Sequence, residues 1–335
     1  GTSDSTAGVS GLKRALRSFA RWEWFLALVL AADILVNAML SPYFLDPVTL
    51  SDATFNFTEK AIVALPMALL IVIREIDISV AAIIALASVA MGLGAAQGAD
   101  VPVIVAIGIG TGILAGAVNG TLVTILRVPS IVATIGTMSL FRGIAYGVLG
   151  DRVLRDYPAD FAWFGQGYAF GLVSVELVMF ALLAAVTAYV LHFTVAGRHL
   201  YAIGANSTGA RFSGIRVDRC RFWLFVATGA ASGLAAVLLT SRLGSTRPSI
   251  AQGWELEIIS IVILGGVAIT GGKGSIAGVV LAAVLLGSVT FGLGLFNIPG
   301  IVMSIIVGTL LILVVGAPAV MNRLATRRQQ RKAAG

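Results

Sequence analysis

Apolar residues fall along this chain in long runs, most near twenty residues, separated by short polar or charged stretches. That is the length a helix needs to cross ~30 Å of hydrocarbon. The pattern predicts an all-α integral membrane protein, a polytopic bundle of about ten transmembrane helices with both termini cytoplasmic. The runs lie at 23–40, 60–73, 78–97, 101–126, 129–149, 171–193, 222–241, 256–270, 275–296 and 300–320, the second and eighth being short. Three parts follow: an N-terminal cytoplasmic segment 1–22, a single transmembrane domain 23–320, and a basic cytoplasmic tail 321–335. Within the domain, 194–221 forms the longest connection on the cytoplasmic side.

Lysine and arginine in short loops set the orientation. One side collects Lys13, Arg14, Arg17, Arg21, Arg74, Arg127, Arg198, Arg211, Arg216, Arg219, Arg221, Lys273, Arg323, Arg327, Arg328, Arg331 and Lys332. The other holds Lys60, Arg152, Arg155, Arg242 and Arg247. Seventeen against five makes the first side cytoplasmic. The segments 41–59 and 151–168 are then outer, the latter anchored at the interface by Tyr157, Trp163 and Tyr168. The start of the chain has a basic stretch and an apolar run, as a secretory leader does. Asp33 interrupts that run and its length exceeds a leader core, so it reads as a retained first span.

Composition agrees. Of 335 residues 58% are hydrophobic and 12% charged, against about 25% charged in soluble domains. Thirty-nine glycines would be costly in soluble helices but let membrane helices pack closely. The net charge of +7 does not point to nucleic acid, because the basic residues cluster at run ends and in one loop. The lone Cys220 excludes an internal disulfide framework, and no His/Cys cluster has metal-ligand spacing.

Some residues stand out against the apolar runs. Gly108, Gly112, Gly116 and Gly120, four apart, share one helix face into which another helix can press. Asn119 and Arg142 are polar groups deep in spans; a charge there costs roughly 2.5–3.5 kcal/mol on insertion scales. Arg142 therefore needs protein, water or a carboxylate beside it, as a structural pair or as part of a pathway. Asp33 and Asn37, one turn apart, read as helix-packing contacts. Between the second and third runs, Arg74, Glu75 and Asp77 mark a tight turn or a break in one helix, and Asp77 with Ser79 can cap the next. The stretch GGVAITGGKGS from Gly265 to Ser275 looks like a phosphate loop but fails its spacing: Val267 and Gly274 stand where glycine and Ser or Thr are required. His192 and His199 have no nucleophile beside them, so no catalytic signature is present. In 194–221 the core from Asn206 to Ser213 can form a two-turn helix presenting Thr208, Ala210, Arg211 and Phe212 to a partner.

Four stretches carry a family resemblance: GRHLYAIGANSTGARFSGIRV from Gly197, EIDISV from Glu75, VPSIVATIGTMSLFRG from Val128 and LGGVAITGGKGSIAG from Leu264. Together they resemble the permease subunits of carbohydrate ABC importers, the ribose, arabinose, galactose, rhamnose and autoinducer-2 group, and most of all its rhamnose branch. The chain departs from many relatives in carrying Glu75 where they have glycine. The resemblance implies a multi-pass protein of the bacterial inner membrane that carries a monosaccharide, rhamnose or a related sugar, by alternating access, with no catalytic residue or cofactor of its own. It also implies a second permease, the same chain or a paralogue, in surrounding lipid. Two cytoplasmic ATPase subunits binding ATP and Mg, and a periplasmic sugar-binding protein, complete the assembly. By match to the family's coupling segment, Asn206, Ser207, Thr208, Gly209, Ala210, Arg211, Phe212, Ser213 and Gly214 are the expected ATPase contact. Asn119, Arg142, Glu75 and Asp77 are candidates for the pathway. The alternative is an ion- or proton-coupled secondary transporter, which wants several intramembrane carboxylates.

Overall fold

The computed structural model describes residues 4–169 and 171–303, with 305, 306, 308, 309 and 312 beyond them. Helix α1 (Asp4–Leu40) is 37 residues long, more than a bilayer core requires, and its stretch 22–40 is apolar enough to span. The outer segment expected at 41–59 is partly helical. Asp46 caps α2 (Pro47–Ala53) by accepting from the Thr49 amide at 3.0 Å. A 3-10 turn then leads, with a 48° bend, into α3 (Thr58–Val72). After a turn come α4 (Val80–Ala96), α5 (Val101–Thr124) and α6 (Ser130–Leu149).

The stretch expected to be outer carries the single turn α7 (Trp163–Gln166) and a hairpin of β1 (Tyr168–Ala169) with β2 (Val173–Ser174), antiparallel with Tyr168 opposite Ser174. The run expected from 171 therefore becomes helical only at α8 (Val175–Phe193). Ser174 sets that start, its hydroxyl accepting from the Leu177 amide at 3.2 Å. The basic connection 194–221 is not an open loop. It folds as α9 (Val195–Ala205), α10 (Ser207–Phe212) and the first turn of α11 (Val217–Leu243). The eighth run is helical only in α12 (Trp254–Leu264). Gly266, Gly271 and Gly272 then adopt left-handed backbone, which interrupts the helix until α13 (Ile276–Leu295). The tenth run is helical at 300–303 and at the described positions to 312; the rest of it and the tail 321–335 lie outside the described residues.

The expectation of about ten full spans is corrected. Among the described residues six helices are long and apolar enough to cross a membrane, or seven if α2 and α3 count as one bent span. The helices α3, α4 and α12, of 15, 17 and 11 residues, are shorter than a bilayer-crossing length. Packing explains how short helices suffice. Nearly all of α3 and most of α4 is buried, so protein rather than lipid surrounds them, apart from the exposed Ala96 end of α4. The spanning windows of α11 and α13 are 61% buried, against 28% for α5, α6 and α8 and 11% for α1. An inner group of α3, α4, α11 and α13 is thus wrapped by α1, α5, α6 and α8, whose outward faces carry exposed Leu, Ile and Val.

The most extensive helix pair is α5 with α11. A Cβ on Gly112 would collide with the Gly229 carbonyl and the Gly233 backbone, and one on Gly116 with the Phe225 carbonyl. Gly108 lies against Met91 and Val237, and Gly120 against Phe222. On the other side of the bundle, the Ser288 hydroxyl donates to Asp33 at 2.5 Å and Asn37 lies on Gly292, so the polar pair of α1 docks α13.

Candidate functional site

Polar contacts gather at the two ends of α3. At its Val72 end meet the α3–α4 turn, α9, α10, the start of α11 and the loop before α13. Asn206 defines α10 locally: its Oδ1 accepts from the Gly209 amide at 2.9 Å, a side-chain N-cap. The Gly214 backbone turns left-handed and ends the short helix. Thr208, Arg211, Phe212, Ser213 and Gly214 are exposed, Phe212 at 89%. The Phe212 ring is nearly bare of packing from its own chain. Ala210, expected to face a partner, instead packs into this chain at 5% exposure, because the inner face of α10 must lie on α9 and α11. Arg211 is already engaged. Its Nη2 donates to both carboxylate oxygens of Asp218, each at 2.8 Å.

The turn below is built around Arg74. Helix α3 ends with the Glu75 amide donating to Leu70 O and the Arg74 amide to Ile71 O, both at 2.9 Å, the hydrogen-bond pair of a Schellman motif. Arg74 occupies the position usually given to glycine, at φ 69°. Its Nη2 donates to Ala205 O, the last carbonyl of α9, at 3.0 Å. Glu75 lies 2.8 Å from Arg221 Nε, and Arg221 Nη1 lies 3.7 Å from Asp218. The loop before α13 joins the same node. Gly272 N donates to Val72 O at 2.8 Å, and a Cβ on Gly204 of α9 would strike both Val72 O and Gly272. The Tyr201 hydroxyl donates to Gly274 O at 2.7 Å. Burial pushes that phenol up to about 12, so it stays protonated. Trp22 donates to Leu264 O at 2.9 Å, tying α1 to the end of α12.

Asp77 and Asn119 are fully buried and touch each other. Asp77 Oδ1 accepts from the Ser79 amide at 2.9 Å and from its hydroxyl at 2.6 Å. Asn119 Nδ2 donates to Asp77 Oδ2 at 3.1 Å and to Ser79 Oγ at 2.8 Å. The carboxylate orders the break before α4 and fastens it to α5. Glu75, two residues away, points instead toward Arg221. Arg142 stands apart: Nη1 donates to Pro248 O at 2.7 Å and Ile250 O at 2.8 Å, and Nη2 to Ala81 O at 3.1 Å. Of the partners expected beside this charge, it is protein that receives it, through backbone carbonyls.

The other end of α3 holds a group that the sequence pattern did not single out. Arg242 Nε lies 2.8 Å from Glu59, a fully buried residue. Glu176, equally buried, has neither oxygen hydrogen-bonded. Lys60 pairs with Glu257 at 2.5 Å and sits 4.8 Å over the Trp254 ring. Thr54 and Ser174 share a hydrogen bond of 2.7 Å, and Tyr168 donates to Asp52. Glu59 stands just before the run expected from 60 and Glu176 is the sixth residue of the run expected from 171, and a count of Lys and Arg passes over both. Among the described residues no cluster of His, Cys, Asp and Glu could hold a metal ion.

Residues 50–315 match a family described as branched-chain amino acid transport system / permease component. The autoinducer 2 import system permease protein LsrD of Yersinia pseudotuberculosis serotype O:3 (strain YPIII) is 35% identical over 300 residues, covering 88% of this chain and 90% of that protein. The protein of the same name from Yersinia pestis (strain Pestoides F) matches with the same identity and coverage. Among solved structures, a metal-chelate type ABC transporter in an inward-facing conformation aligns at a TM-score of 0.57 over 89% of this chain and 99% of that one. Its 14% identity makes the likeness one of fold.

Proposed function

The chain belongs to the branched-chain amino acid transport system / permease component family, and from that membership we propose that it forms the translocation path of an ABC importer for a monosaccharide-like solute. It is a multi-pass membrane permease and not an enzyme. The energy comes from separate ATPase subunits, and a periplasmic binding protein delivers the solute. Rhamnose or a related sugar is the proposed cargo; the LsrD relatives carry autoinducer 2 in their names. In the assembly two permeases, this chain with itself or with a paralogue, stand over two ATPases. In each permease, the short helices α3, α4 and α12 would stand beside the six full-length spans. The exposed ends of α9 to α11 would face the cytoplasm.

One observation carries the coupling assignment: α10 exposes Phe212 while its other face is packed against its own chain. A rigid, capped helix with a free aromatic is suited to seat in a cleft of an ATPase. Asn119 and Asp77, being buried and mutually bonded, are better suited to order the path than to touch the solute. The docking test is Phe212→Asp, since a charge in an apolar cleft opposes association. Co-expressed with its ATPase subunits, the variant should reach the membrane in normal amount yet lose co-purifying ATPase. Full retention of the ATPase would remove α10 as the docking element. Ala210→Trp cannot serve, because it would disturb this chain's own packing.

A further inference from the structure

Two consecutive residues grip both flanks of α10 from the turn that ends the most buried helix. Arg74 reaches the last carbonyl of α9, immediately before α10. Glu75 pairs with Arg221 near the start of α11, soon after it. From Arg221 the charges continue through Asp218 to Arg211 on α10 itself. On the far side of the same turn, Asp77 is fastened to Asn119 of α5. We propose that Arg74 and Glu75 are the positioning residues through which a displacement of α10 reaches the buried helices α3 and α4. The inference rests on the reading of α10 as the docking element.

Three features make this arrangement more than a surface salt-bridge network. Arg74 sits in a left-handed conformation that glycine would adopt without strain, so the guanidinium is kept there against a local backbone preference. Glu75 is mostly buried, and Arg221 is the cation within reach of it among the described residues. The grip is also two-sided: α9 and α11 can neither tilt apart nor slide along α3 without breaking one arm. An element held this way has discrete positions, which is what transmission of a conformational change requires. Exposed pairs such as Arg211–Asp218 add little stability; here they set register.

The test uses the permease with its ATPase subunits in lipid nanodiscs, with Cys220→Ala and one cysteine placed at buried Ala85 of α4. Transmission is read as the change in maleimide labelling rate on adding ATP and vanadate, which needs no knowledge of the solute. Arg74→Gly and Glu75→Gln should each shrink that change by about 2- to 30-fold, the range of measured coupling effects. Arg74→Gly should do so with unchanged or raised thermal stability, because it relieves the backbone; a purely structural Arg74 would give the opposite. Exchanging the charges in Glu75→Arg with Arg221→Glu should recover most of what Glu75→Gln loses. Should Glu75→Gln fail to accumulate, Arg74→Gly carries the same readout. An undiminished labelling change in Arg74→Gly overturns the proposal. Phe212→Asp is run beside them: retention of ATPase in that variant sinks the docking reading alone, while the labelling ratio still decides on Arg74 and Glu75.

Discussion

Arg142 shows how a single charge is accommodated at membrane depth. Its guanidinium offers several donors in a fixed plane, and three backbone carbonyls from two separate segments converge on it. Two of those carbonyls, of Pro248 and Ile250, lie in the stretch between α11 and α12, which returns into the bundle without forming a helix. Non-helical backbone survives at such depth only where protein satisfies it, and Arg142 does so for this segment. Arg142→Met should therefore destabilise the purified permease by about 1–3 kcal/mol and raise amide exchange at 245–251. Arg142→Lys, a point charge without the fork, should fall between. Wild-type exchange in the methionine variant would mean that the loop is held by other contacts. The sequence made the cost of this charge visible, and with it the need for a partner. The partner was invisible, because carbonyls carry no side-chain signature and the segment holding them reads as an outer loop. Glu176 was missed for the complementary reason: orientation was read from Lys and Arg alone, so a lone carboxylate within an apolar run went uncounted, although it is buried.

At the scale of elements, the closest approach is between α5 and α11. Gly112 and Gly229 face each other so tightly that a Cβ on either would collide with the other's carbonyl. Dispersion and close backbone contact replace the hydrophobic effect as the force joining helices in lipid. Gly112→Ala should separate the pair and cost roughly 1–3 kcal/mol, as overpacking does. Gly110, on the same helix, has no neighbour near its added Cβ. Gly110→Ala should be neutral, or stabilise by about 0.5–1 kcal/mol through helix propensity. Thermal unfolding of both variants in detergent checks the contrast; equal behaviour would show that small size is not what the interface needs. The four-residue spacing of Gly108, Gly112, Gly116 and Gly120 was legible in the sequence, since periodicity alone places them on one face. The identity of α11 as the partner was not, because Gly229 and Gly233 lie more than a hundred residues away. Helix α9 was hidden differently. Its buried Leu200 and Ile203 sit among glycine and basic residues, so an eleven-residue amphipathic helix read as a charged loop. The end of α12 was disguised by apolar Val267 and Ile269, which extend the hydrophobic run beyond the glycines that break the helix.

For the whole molecule, the decisive feature is that polar connections sort into two groups at opposite ends of a buried core. Arg74, Tyr201, Gly272, Arg221 and Trp22 meet at one end through the bonds described above. Glu59, Arg242, Ser174, Tyr168 and Thr54 meet at the other. The loop-charge count assigned the same two groups to opposite membrane faces. Interlocking ends of this kind hold the short helix α3 in place: both of its ends are closed by neighbours rather than by water or headgroups. The charge bias predicts that the α9–α11 end faces the cytoplasm, where basic loops are retained during insertion. Single cysteines in a Cys220→Ala background test this directly. Asp160 lies exposed in the stretch before α7 and Ser213 lies exposed after α10, and neither side chain is in a span. With a membrane-impermeant maleimide, Asp160→Cys should label in spheroplasts, and Ser213→Cys only after the membrane is opened. Ser213 borders the proposed ATPase seat, so its labelling should also slow when the ATPase subunits are co-expressed. The reverse pattern, Ser213→Cys labelled from outside and Asp160→Cys protected, would turn the molecule over. It would place α10 where no cytoplasmic ATPase could reach it, and the coupling assignment would fall with the orientation.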